Sequence, residues 1–174
     1  MPIDIEAYTA EGILTGRSEA SGRLREMVEI LETVRVAPVT VLPLHGTPRE
    51  RGEDVVPTDE LLLVVPEPVE GPVHTAWHDI RLSIGPWRVD AVLATAPGLD
   101  PGRALIRPGG TFIGVHDASV YRRVDPERPV GAHLDLLVNR YAVEEVECEL
   151  ALPFHFPGAT IRQVAPVLGP TSAH

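Results

Sequence analysis

The sequence predicts a mainly β protein. It reads as a β-rich α+β chain of two tandem, pseudo-repeated small β-barrel or sheet modules, with one substantial helix in the first. Two observations predict this. The halves repeat one pattern: two strands, an Arg-Leu or Arg-Ala link, an apolar strand, a polar loop and a last apolar strand. In the first half these are Ile5–Thr9, Ile13–Ser18, Arg23-Leu24, Val36–Leu42, Gly46–Asp59 and Leu61–Val65. In the second they are Asp79–Ile84, Trp87–Thr95, Arg103-Ala104, Phe112–Tyr121, Arg122–Gly131 and Leu134–Val138. Such self-similarity marks units that bury their apolar faces against one another. Composition is the second observation. Hydrophobic residues make up 44% of the 174 but aromatics only 5%, so Val, Leu, Ile and Ala must build the core, and β-branched residues favour strands. The expected units are 1–72, 73–149 and a Pro-rich tail, 150–174, that docks in part.

Element by element, Ala10-Glu11-Gly12 joins the first two strands as a hairpin. Ser21 is placed to cap a helix over Arg23–Arg35, where Leu24, Met27, Val28, Leu31 and Val34 line one face. Arg25/Glu29 and Glu32/Arg35 stand at pairing distance on that helix. Pro38 and Pro43 interrupt Val36–Leu44, which predicts an edge or irregular strand. His45–Asp59 reads as a polar loop, Leu61–Val65 as an apolar strand and Pro66–Pro72 as a linker.

In the second half, Gly85-Pro86 makes another hairpin. Arg103–Arg107 is a short counterpart of the helix, stopped by Pro108-Gly109-Gly110. His116-Asp117 forms a polar centre in the strand Phe112–Tyr121. Asn139-Arg140 predicts a tight turn into the strand Ala142–Glu147, because Asn tolerates a left-handed backbone. Phe154 and Phe156 alternate around His155, so part of the tail is expected to dock as a strand.

The net charge of −10 argues against nucleic acid, whose binding neutralises phosphates with cations. The chain has no lysine. That excludes a Walker A loop, Schiff-base chemistry and a Ser-Lys nucleophile. Cys148 is the single cysteine, so an intrachain disulfide or a cysteine zinc cluster is impossible. It lies in the alternating run Val143–Leu150, as a buried structural thiol would. With neither a secretory leader nor an apolar run long enough to span a bilayer, a cytoplasmic location is the expectation.

The residues best suited to chemistry are His74, His78, Asp79, His116, Asp117, His133 and Asp135. Imidazole and carboxylate suit zinc, iron or manganese, and His74, His78, His116 and Asp117 are the metal candidates. Asp117 also fits a bulge or turn fixed through its own backbone. Glu144, Glu145, Glu147 and Glu149 alternate with apolar residues, as a solvated strand face does. Arg122, Arg123 and Arg128 form a small basic loop that could meet phosphate. Trp77 and Trp87 bracket a strand and suit hairpin packing.

One family shares these patterns. The sequence has Phe112, Ile113, Val115, Asp117, Ala118 and Val120, then Leu136, Leu137, Val138, Asn139, Arg140 and Val143, with a Gly22-Arg23-Leu24 link in the first half. It thereby resembles the DUF6812-type family of uncharacterised bacterial proteins, which carry one or two copies of a short β-rich module. The resemblance implies tandem β-modules and brings no activity or ligand residues. The first half departs from it, with Pro66-Glu67 where the family has the Asn-Arg turn. Strand order is also similar to small Sm-like barrels, which carry their helix before the first strand.

The expected function is a non-catalytic cytoplasmic scaffold or adaptor, with no cofactor, acting through a protein partner or self-association. The alternatives are a metal-dependent enzyme using the His/Asp cluster and a small-barrel RNA binder using Arg122, Arg123 and Arg140. Neither a membrane nor a small-molecule substrate is indicated.

Overall fold

The computed structural model describes residues 1–69, 76–95, 109–152 and 154–165. The strands of the first half are β1 (Ile3–Tyr8), β2 (Gly12–Ser18), β3 (Thr33–Val36), β4 (Val39–Pro43), β5 (Arg49–Arg51), β6 (Asp54–Pro57) and β7 (Leu63–Val64). Helix α1 (Leu24–Ile30) follows β2, and a 3-10 turn (Thr58–Glu60) precedes β7. The second half contributes β8 (Ala76–Ile84), β9 (Trp87–Thr95), β10 (Phe112–Arg122), β11 (Asp125–Asn139), β12 (Val143–Cys148) and β13 (Thr160–Gln163). The mainly β class is therefore correct, and α1 is the one α-helix among the described residues.

Eleven strands form one open sheet in the order β13-β12-β8-β9-β10-β11-β7-β1-β2-β4-β5, while β3 and β6 pair separately. Within that order the repeat is plain. The run β7-β1-β2-β4-β5 has the same sequence of antiparallel pairings as β12-β8-β9-β10-β11. The registers agree as well: Val64–Ala7–Leu14–Val41–Arg49 lie side by side, as do Val146–Leu82–Val89–Val120–Gly131. This corrects the alignment read from sequence. Leu61–Val65 corresponds to β12, not to Leu134–Val138, and β11 corresponds to β5 and β6.

Each module also contains one long, bent hairpin. In the first, β3 runs into β4 through a cis Ala37-Pro38 bond, and Val36 and Val39 on either side both face the core. In the second, Val115 and Ala118 flank the bend. Asp117 sits there at φ +46°, and the β9–β10 register slips between His116 and Ser119. Two chemistries thus make the same turn of the strand.

The polar loops of the sequence reading are largely strand. Gly46–Asp59 contains β5 and β6, and Arg122–Gly131 turns only at Arg123-Val124 before β11 begins. Charged residues on a ribbon with exposed faces give no apolar alternation to detect. The strand bearing Pro38 and Pro43 is irregular but internal, between β2 and β5. The edge strand β5 carries exposed Arg49, Glu50 and Arg51, charges that oppose edge-to-edge pairing.

Helix α1 is shorter than expected. Val34 belongs to β3, where Thr33–Val36 alternates exposed and buried and pairs with β6. Leu24, Met27 and Val28 are its buried face. Ser21 gives no cap; the Leu24 N–H donates to Glu67 at 2.7 Å. Nor does the helix rely on the expected pairs. Arg35 meets Glu53 at 2.9 Å. Glu29 accepts from the backbone N–H groups of Thr111 (2.8 Å) and Phe112 (2.7 Å) in the other half. Gly110, at φ +82°, makes that approach possible, since a Cβ there would lie 2.7 Å from the carboxylate. The counterpart Arg103–Arg107 lies outside the described residues.

Two buried clusters form, and each borrows from the other half. The larger is made chiefly by the second module but includes Tyr8, Leu62 and Leu63. The smaller contains the apolar face of α1 and includes Phe112 and Leu137. β7 is the joint: it pairs with β1 on one side and with β11 on the other. Asn139 fastens it, donating from its backbone to Leu62 O (2.9 Å) and from Nδ2 to Leu61 O (3.2 Å). Its Oδ1 also accepts from the Tyr141 N–H at 3.2 Å. The Asn139 turn is thus held by the side chain; the left-handed backbone expected of it is not used. The tail docks through buried Phe156 and through β13, parallel to β12; residues 154–158 themselves form turns.

Candidate functional site

The described histidines of the sequence prediction are placed by strands and held one by one. His78 on β8 sits between two neighbours: its Nδ1 meets the Glu149 carboxylate and its Nε2 lies 3.1 Å from Thr95 Oγ1. His116 stands directly opposite Asp135 in the β10–β11 register, with Nδ1 2.6 Å from Oδ1. Exposed Trp77 packs edge-on against it at 5.2 Å. His133 Nε2 lies 2.8 Å from the Tyr8 hydroxyl and 3.8 Å from Glu6. Asp117 is exposed at the bend and Asp79 is exposed on β8. His74 lies outside the described residues.

These side chains do not converge. Among the described residues no group of three His, Cys, Asp or Glu side chains is placed to hold a metal. Asp117 sits in a strand bend, in keeping with the bulge or turn expected there, and adopts a left-handed backbone. The Thr95–His78–Glu149 chain has the connectivity of hydroxyl, imidazole and carboxylate that activates a nucleophile. It links β9, β8 and the residue after β12, so it also works as a clamp across three adjacent strands. Thr95 and Glu149 had no local signal, since both partners of His78 are remote in sequence.

Arg122, Arg123 and Arg140 are engaged within the protein. Arg122 donates to Leu44 O at 2.7 Å across the joint. Arg123 meets Glu144 at 2.5 Å and Gly85 O at 3.2 Å. Arg140 is buried and donates to Tyr141 OH at 3.0 Å; burial, and then the neighbouring Arg140 charge, hold the His155 imidazole below its usual range. Arg128 is exposed. Glu147 pairs with Arg162 at 2.9 Å, and Glu145 lies opposite Ser83. Cys148 is fully buried, and that burial pushes its thiol up, as in a structural cysteine.

The most organised contact in the molecule was not foreseen. Tyr8, fully buried, leaves β1 and enters the second module. Its ring meets Trp87 edge-on at 5.2 Å, a geometry that adds about 0.5–1.5 kcal/mol beyond area burial. The Trp87 indole N–H donates to Thr9 O at 2.9 Å, so Trp87 packs across the joint as well as in its hairpin. Burial and the neighbouring Glu6 raise the Tyr8 phenol above its usual value. Leu62 approaches Gly85 beside it.

Among the described residues the matching position of the first module is open. A cavity of about 470 Å³ is lined there by Leu14, Val41 and Val56, with Glu11, Glu60 and the Arg51–Asp54 pair at its rim. The register counterparts Val89, Val120 and Val138 are all fully buried in the cluster that Tyr8 and Leu62 join.

Among the described residues no helix is long and apolar enough to cross a membrane. Comparison of the chain with protein-family models, curated proteins and solved structures finds no match.

Proposed function

We propose that the chain is a non-catalytic cytoplasmic scaffold or adaptor that acts through protein contacts, and that it is kin to the DUF6812-type proteins. One observation carries the reading: the fold already joins two units by a strand edge and a plugging aromatic, at β7–β11 and Tyr8. A module that binds its neighbour in this way is suited to bind other chains in this way, since strand edges and mouths lined by apolar residues are general recognition surfaces. The engagement of the histidines and arginines by internal partners also favours contact over catalysis.

Native mass spectrometry of the protein from its own host, with metal analysis on the same sample, tests this. A stoichiometric partner or homo-oligomer without metal is the expected result. An inert monomer overturns the reading, and so does a metal-loaded species.

A further inference from the structure

We propose that the open mouth of the first module docks an extended segment of a partner protein. The segment adds a strand to β6 and inserts an aromatic or leucine side chain between cationic flanks. This deepens the protein-contact reading and rests on it.

The template is inside the molecule. In the second module β7 lies along β11 at Leu137 and Val138, and Tyr8 and Leu62 close the mouth next to the β8–β9 turn. The strand pairings Val36↔Asp54 and Val115↔Leu136 set the correspondence. Val55 and Val56 of β6 therefore stand where Leu137 and Val138 stand. β6 pairs with β3, and among the described residues no strand takes its other edge. Val55 is 47% exposed. The same edge and the same apolar floor are thus present twice and, among the described residues, filled once.

A second copy does not supply the plug. In the first module Leu63, Tyr8 and Ile13 form the apolar row that enters its neighbour. The second module has Glu145, Ser83 and Arg88 at those register positions. Its outer edge, β12, is already covered by β13. The proposed occupant is a segment of a different protein. Its charge follows from the rim: Asp54 is paired with Arg51 at 2.9 Å, while Glu11 and Glu60 add acidic charge beside the cavity of a chain with net charge −10. An acidic rim attracts and orients a basic segment, and an aromatic between basic residues matches the floor.

A displayed library of random short peptides, selected against the whole chain, provides the probe. Enriched peptides should carry an aromatic or leucine between Arg or Lys. On binding they should shift the methyl signals of Leu14, Val41 and Val56. The exposed double variant Glu11→Arg/Glu60→Arg should weaken them roughly tenfold and flatten their salt dependence. Failure to enrich any peptide, shifts confined to another face, or unchanged affinity in the double variant overturns the site. So does a homodimer in sedimentation whose interface buries the mouth. The protein-contact reading is decided separately by the native mass measurement, so a partner that ignores the double variant would remove this site and leave that reading standing.

Discussion

The two modules share strand order and register, yet they present opposite chemistry to what lies beyond them. Across four strands the first offers Leu63, Tyr8, Ile13 and Leu42, and the second offers Glu145, Ser83, Arg88 and Tyr121. The polar row belongs to a solvated face with its own ion pairs. Arg81 holds Asp90 at 2.8 Å, Arg88 reaches the same carboxylate at 3.2 Å, and Tyr121 lies under the Arg88 guanidinium at 4.3 Å. The difference teaches that the joint is directional. One unit supplies the plug and the other the socket, and the corresponding face of the second module is charged.

The harshest way to break the asymmetry is Leu63→Glu, which gives the first module the residue of the second. Leu63 is fully buried between β1 and β11. Burying a carboxylate there should cost at least about 4 kcal/mol and split the urea unfolding curve into two transitions. A single unshifted transition would show that the modules do not depend on the joint.

Tyr8→Ala comes next, with an expected loss of about 3–5 kcal/mol from an emptied aromatic site. Tyr8→Phe keeps the ring and should lose only about 1 kcal/mol, the share of its hydrogen bond to His133. Equal losses in the two variants would assign the whole effect to the hydroxyl.

At the bend, Asp117→Val should cost about 1–2 kcal/mol, because a β-branched residue opposes a left-handed backbone. Asp117→Gly should be close to neutral in thermal unfolding. Similar stability for both variants would mean that the bend does not constrain this residue.

Alkaline pH probes the same joint more gently. The folded state holds the Tyr8 phenol above its usual value, so the folded state keeps a proton that the unfolded chain loses first. The associated stability is fully present below about pH 10, the ordinary phenol value. It falls as pH rises beyond that, by up to about 1.4 kcal/mol per pH unit. Tyr8→Phe should flatten this part of the denaturation profile. The smallest effect belongs to Arg81→Ala on the exposed ladder, at most about 1 kcal/mol and reduced by salt.

Much of the scaffold was legible. The hairpins at Ala10-Glu11-Gly12 and Gly85-Pro86 and the bounds of β9 follow from turn residues and alternation. The start of α1 follows from its apolar face, while its end does not, because Val34 satisfies a helical and a strand spacing equally well. Leu61–Val65 and Leu134–Val138 look alike as apolar runs, so composition aligned them. Only hydrogen-bond register shows that β7 and β12 are the true counterparts. The histidine pairs were hidden for a related reason: Glu149, Asp135 and Tyr8 reach His78, His116 and His133 through sheet pairing, and nothing local marks them. The plug had a faint signal. Tyr8 is one of three tyrosines, set at the end of a short apolar strand where a smaller residue would complete a hairpin.

Gly131 lies opposite Tyr8 across the joint, where a Cβ would stand 2.1 Å from the phenol oxygen and 3.4 Å from the carbon bearing it. The two positions are therefore chemically coupled although they lie 123 positions apart in the sequence. Gly131→Ala alone would expel the hydroxyl and press on His133 Nε2 at 2.8 Å, whereas adding Tyr8→Phe removes the closest of these collisions and leaves the imidazole to shift. The pair should then behave non-additively, with the double variant more stable than the glycine variant alone. In a lineage of such chains, substitution at one position would open or close the path to substitution at the other.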